Sequence, residues 1–197
     1  MLLSWAAENG NSWLIIVPGV RVGAITPQIT ESDLIKVYGK ANVKRENIGL
    51  GEGETEPGTV IFPKEPVKTV GILWKDQKGR RFAREIRMMG TDHKSVWRTS
   101  QGITLGTTLK ELEEINGKPF RLAGFAWDYS GTVLSWEHGK LEQELESQGR
   151  VVLRLMSNKK VAEREYESVL GEQAFRSDHP VMQKINPKVY EIIVVYK

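Results

Sequence analysis

The 197 residues carry 28 basic against 25 acidic side chains, a net charge of +3, with 40% apolar and 27% charged content. That is the balance of a chain that folds around its own core. With no cysteine, disulfides, thiolate metal sites and cysteine nucleophiles are excluded, and so small a basic excess demands no nucleic-acid partner.

Met1 to Gly10 has no basic n-region and carries Glu8, so it does not read as an intact signal peptide. The expectation is either a cytoplasmic protein or a periplasmic or secreted one whose leader has been trimmed. No apolar run approaches the roughly 18 residues of a membrane-crossing helix. Trp13 to Val17, as long as any, reads as a buried strand. Thr30 to Gly39 reads as a helix, with Thr30 as N-cap, Asp33 three residues on as a short capping-box partner, and Gly39 as the stop. Leu34 and Val37 are expected to share its buried face.

Gly49-Leu50-Gly51-Glu52-Gly53 superficially suggests a phosphate loop, but no Lys-Ser/Thr follows, and Glu52, Glu54 and Glu56 would repel phosphate. Glu46 to Pro57 therefore reads as an acidic hairpin loop, a solvated connection or a contact loop. A calcium site built from those three carboxylates is the less favoured alternative. Strands follow at Thr59 to Phe62, Val67 to Trp74 and Arg81 to Met89, with Lys75 to Gly79 as a hairpin turn. Lys75, Lys78, Arg80, Arg81, Arg84 and Arg87 make this arm basic, yet Phe82 is its one aromatic. A charged edge strand is a sufficient account, and nucleic acid is not the favoured partner.

In the second half, Thr108 to Gly117 reads as another capped helix, with Glu111 completing the box and Leu112 and Ile115 as its inner face. Strands are expected at Phe120 to Trp127, Thr132 to Trp136, Arg150 to Met156 and Val189 to Tyr196. Phe125-Ala126-Trp127-Asp128-Tyr129-Ser130-Gly131 is the densest aromatic cluster. With period two, Phe125, Trp127 and Tyr129 share one sheet face while Asp128 points the other way. That face either packs beneath the second helix or forms a contact surface of aromatic anchors. His93, His138 and His179 show no metal-ligand spacing, and Asp92-His93 and Asp178-His179 read as cap and turn pairs. Asn158 to Leu170 reads as a charged helix ended by Gly171. Asp178-His179-Pro180 fits an N-cap for a short helix reaching Ile185, and Asn186-Pro187 ends it.

The halves resemble each other. The helices align at an offset of 78 (Thr108 against Thr30), preceded by Gly19-Val20-Arg21-Val22-Gly23 in one and Gly102-Ile103-Thr104-Leu105-Gly106 in the other. Gly23 and Gly106 differ by 83, so the first copy carries five extra residues within Ala24 to Ile29. Gly58-Thr59-Val60 echoes Gly131-Thr132-Val133. The expected fold is α+β: residues 1–92 and 93–157 as two tandem helix-plus-antiparallel-sheet units, then 158–197 as a helical segment and final strand.

The glycine-framed apolar pair followed by Thr-x-x-acidic-Leu-x-x-apolar-x-Gly resembles the repeat of the β-lactamase-inhibitor-protein-like fold. Small outer-membrane assembly lipoproteins of the SmpA/OmlA (BamE) type share that fold. Gly102 to Pro119 is the closest stretch. The resemblance implies an extracytoplasmic, non-enzymatic module that presents a sheet and loops to a protein partner and uses no cofactor. The disulfides of the inhibitor proteins have no counterpart, and their inhibitory loop residues cannot be placed here. The contact residues expected on this view are Trp127, Asp128, Tyr129, Glu52, Glu54 and Glu56. The alternative is an enzyme whose acid/base groups, Asp128 with His138, meet only in three dimensions.

Overall fold

A computed structural model describes residues 14–51, 53–90, 94–146, 149–156 and 161–197. Trp13, Glu52, Asp92, His93 and the start of the expected 158–170 helix lie outside them. The first half runs β1 (Ile15–Val17), β2 (Arg21–Val22), α1 (Glu31–Tyr38), β3 (Val43–Gly51), β4 (Glu54–Ile61), β5 (Val70–Asp76), β6 (Arg81–Met89) and β7 (Arg98–Thr99). The second half runs α2 (Leu109–Asn116), β8 (Arg121–Ala123), β9 (Val133–Ser135), α3 (Lys140–Glu146) and β10 (Arg150–Met156). It ends in α4 (Glu163–Glu167), β11 (Ala174–Arg176), α5 (Pro180–Ile185) and β12 (Lys188–Val195). Mixed helix and largely antiparallel sheet makes the chain α+β.

Both capping boxes form. Thr30 Oγ1 accepts from the Asp33 amide and Thr108 Oγ1 from the Glu111 amide, each at 3.2 Å, and both acidic side chains reach back to the cap amides. Each helix start is also bonded to the head of a strand. The Glu31 amide donates to Arg80 O and the Phe82 amide to Ile29 O, while Leu109 donates to Pro187 O and Val189 to Thr107 O. Eight-residue helices are too short to persist alone, and this attachment fixes them on the sheet.

The most buried stripe runs through Glu31, Leu34, Ile35 and Tyr38 in α1 and through Leu109, Leu112, Glu113 and Asn116 in α2. Val37, expected inside, is 40% exposed because it lies beyond that stripe, and Ile115 is only half-buried. Gly117 takes the left-handed stop (φ 79, ψ 2), but Gly39 (φ 84, ψ 144) does not. It leads into a 3-10 turn over Lys40–Asn42.

Six strands form one antiparallel sheet in the order β10-β12-β6-β5-β4-β3. Two small sheets flank it: β2-β1-β7, in which β1 and β7 run parallel, and β11-β8-β9. One core cluster draws on both halves, including Trp74, Trp97, Phe120 and Trp136. On the other face of the six-stranded sheet, Ile48, Val60 and Leu73 make a separate small cluster. There Ile48 lies over Gly58 and Gly71, where added Cβ atoms would come within 2.3 and 3.1 Å of its Cδ1.

Several expectations are corrected. Glu46 to Pro57 is not a loop: β3 and β4 pair from Val43–Ile61 to Gly51–Glu54. The basic strand β6 is not an edge, since it lies between β12 and β5. The arginines of this arm are spent internally, Arg80 just before the strand on Glu31, Arg81 on Asp76, Arg84 on Glu56 and Arg87 on Glu191. The strand expected to Trp127 stops at Ala123, because Gly124 packs against the Val169 and Gly171 carbonyls and Ala126 turns left-handed (φ 64). Within Asp178-His179-Pro180, His179 is the residue that caps α5, while Asp178 pairs with Arg176. Helix α3 was not expected from the sequence, and α4 is only five residues long.

Glu31 docks α1 onto the sheet. It accepts from Arg45 Nη2 at 2.7 Å and from the Thr59 hydroxyl at 2.9 Å, and Arg80 Nε stands at 3.4 Å. Burial pushes its carboxyl up, but those bonds and charges outweigh it and hold the group below its ordinary value. Thr59 Oγ1 also accepts from Trp74 Nε1 at 3.0 Å, so this buried hydroxyl both donates and accepts. The buried Thr132 hydroxyl has no hydrogen-bond partner. Urea denaturation is expected to show Thr59→Val less stable by about 1–2 kcal/mol and Thr132→Val equal to or more stable than wild type. Equal losses at both positions would contradict this account.

Candidate interaction surface

Residues 124–131 form a loop stapled at both ends. The Gly131 amide donates to Gly124 O at 3.1 Å, Ser130 to Trp127 O, and Thr132 to Tyr129 O. Trp127 Nε1 donates to Gly124 O at 3.0 Å. Gly131 has positive φ (64), and a Cβ there would lie 1.9 Å from Leu155 O, so only glycine lets this loop lie against β10. The Leu155 amide donates to Gly131 O at 2.9 Å, which closes that attachment.

The loop divides the expected aromatic face. Phe125 is buried and stacks on Tyr166 at 5.9 Å between ring centroids. Trp127 and Tyr129 instead meet edge to face at 5.4 Å on the outside, with Trp127 half-buried and Tyr129 53% exposed. Asp128 is exposed in the same turn. The three are neighbours, but they sit on a turn and not on an alternating strand.

Tyr129 leads to a charged row. The Arg154 guanidinium lies over its ring, 5.8 Å from the centroid. Across adjacent strands, Arg154 of β10 stands opposite Glu191 of β12, which stands opposite Met89 of β6. Glu191 is fully buried. Its Oε1 takes Arg87 Nη1 at 3.0 Å and its Oε2 faces Arg154 Nη1 at 3.3 Å. Arg87 also pairs with Glu85 and donates to the carbonyls of Gly49 (3.2 Å) and Leu50 (3.3 Å). Thus the β3–β4 tip bends across the sheet face toward β10, and Gly51 comes near Arg154. Met89, 52% exposed, completes the ridge. Glu191 and its arginines were missed in the sequence, where Arg87 and Glu191 stand 104 residues apart.

The other anticipated residues lie elsewhere. Glu56 is bound to Arg84 and Gln77 and so ties β4 to the β5–β6 hairpin. Glu54 is exposed at the start of β4, and Glu52 lies outside the described residues. His138 is turned outward, with Nδ1 3.1 Å from Glu142 Oε1, and lines an open depression with Glu142 and Glu146. It does not meet Asp128. Among the described residues no group of three or more acidic or histidine side chains could hold a metal ion, and no helix is long and apolar enough to cross a membrane.

Burial raises the Glu191 carboxyl above its ordinary value; Arg154 and Arg87 pull it down without fully compensating, and Glu85 adds repulsion. A carboxyl raised on folding stabilises fully below its unfolded value, and that contribution is lost as pH rises through the folded one. Relative to Glu191→Gln, wild type is therefore expected to lose stability as pH rises above about 4. Urea midpoints for both proteins at several pH values test this, and parallel curves would contradict it.

Compared with family models, with curated proteins and with solved structures, the chain matches none of them.

Proposed function

We propose that this chain is a non-catalytic binding module that holds a protein partner on the ridge formed by Trp127, Tyr129, Arg154 and Met89. The observation that carries the reading is Tyr129, half exposed yet held between the edge of Trp127 and the guanidinium of Arg154. Rigid tyrosine, tryptophan and arginine side chains dominate interface energy, and one already fixed loses little freedom on binding. Asp128 at the loop tip supplies a carboxylate beside that ridge.

The same reading includes a duplicated origin. In its support, α1 is followed by four strands in which β3 pairs β4, β4 pairs β5 and β5 pairs β6. After α2, β8 pairs β9, Thr132 at the head of β9 bridges Arg154 of β10, and β10 pairs β12. Thr30 bridges Arg81 at the start of β6, and Thr108 bridges Lys188 at the start of β12. These parallels favour the resemblance to the β-lactamase-inhibitor-protein-like fold, and with it a partner in the cell envelope. The rival reading, an acid/base site from Asp128 and His138, has less support. The His138 side chain is 90% exposed and engaged by Glu142.

Photocrosslinking in host cells tests the surface. Benzoylphenylalanine at position 129 is expected to give a discrete protein adduct, and the same group at exposed Lys36 on α1 none. Met89→Ala or Trp127→Ala should weaken the interaction at least about tenfold. Equal adducts from both positions, or none from 129, would remove this ridge as the contact.

A further inference from the structure

We propose that two copies of this chain join through the free edge of β3, pairing antiparallel about Arg45 so that two six-stranded sheets become one. β3 has a single sheet neighbour, β4. Asn47 stands opposite Pro57, and proline has no amide to give. That pair is therefore a non-hydrogen-bonded one, and antiparallel pairs alternate between the two kinds. The amides and carbonyls of Arg45 and Asn47 and the carbonyl of Val43 consequently point away from β4, while the Val43 amide is taken by Lys40 O. The bond from the Phe62 amide to Asn42 O, in the alternate class, agrees.

An open edge is usually protected by charge, proline or a bulge. Here the outer-face residues are Lys44 and Glu46, of opposite sign and paired with each other along the strand. Two such strands centred on Arg45 place Lys44 against Glu46 of the second copy, and Glu46 against its Lys44. Shifting the centre by one residue puts Lys44 against Lys44 or Glu46 against Glu46. Moving it two residues leaves Lys44 facing Asn42 or Leu50. Only the Arg45-centred register satisfies both charges, so the edge selects its own copy in one alignment.

Arg45 then faces Arg45 of the second copy on the helix side. Each guanidinium is already held by its own Glu31, through Nε at 3.0 Å and Nη2 at 2.7 Å, which offsets that repulsion. In the joined form the two Arg45 residues exchange both backbone hydrogen bonds and each Asn47 amide donates to Val43 O of the second copy, so the edge would be closed without moving any strand.

Sedimentation equilibrium on the full chain tests this, with far-ultraviolet circular dichroism confirming that each variant is folded. Wild type is expected to dimerise. Lys44→Glu and Glu46→Lys should each weaken the dimer about tenfold or more, since two symmetric attractions become repulsions, and the double swap should restore it. Asn47→Pro should leave the monomer folded, because that amide is unused within the chain, yet abolish pairing. A wild type that sediments as a monomer at all concentrations overturns the proposal. So does a dimer indifferent to single reversals, or a double swap that restores nothing.

Discussion

β6 and β12 pair antiparallel from Glu85–Val195 to Met89–Glu191, and both helices hang from the first residues of these two strands. The pairing sets more than backbone order. On one face it lines up Ile86 and Met88 with Ile192 and Val194, all within the main core. On the other it brings Glu85 and Arg87 beside Glu191. A slip of one residue would exchange those sets, driving arginine and glutamate under the helices and isoleucine into the charged row. The register is thus specified twice, by burial and by charge.

Arg87 is where the second specification acts. It reaches Glu191 on the neighbouring strand, Glu85 on its own, and the carbonyls at the β3–β4 tip. Glu191 in turn engages Arg154, which lies on Tyr129. A buried carboxylate flanked by two guanidinium groups is costly to desolvate, and exchanging a whole cluster of that kind for well-packed apolar residues is often neutral for stability. What this row adds is position: it links the far hairpin and the aromatic loop.

Local signals were legible in the sequence. The threonine caps, the hairpin at Lys75–Gly79, the long strands β6, β10 and β12, and the stop at Asn186 all follow from neighbouring residues and were placed nearly as observed. Long-range facts were not. The basic run in β6 suggested an edge because its partners, Glu31, Glu56 and Glu191, sit far away in sequence. The aromatic cluster suggested an alternating strand because period two was assumed through Ala126, whose left-handed backbone breaks it. Glycines 49–53 suggested a loop, although the strands continue almost to the tip and only Gly51 and Gly53 take positive φ. Of the anticipated contact residues, Trp127, Asp128 and Tyr129 lie together, whereas Glu56 is committed to Arg84. Arg154, Met89 and Glu191 carry no local mark.

The place of β12 in the strand order bears on how the molecule is made. During synthesis every strand it joins emerges before it, so β6 and β10 each face water along one side until the 188–195 segment leaves the ribosome. Until then, apolar core surface and two unpaired strand borders are open to other nascent chains. Slow, nonlocal closure is the expected final step of folding. Messages truncated before this segment would yield a chain lacking its central seam, and such a product is a natural substrate for chaperones and proteases.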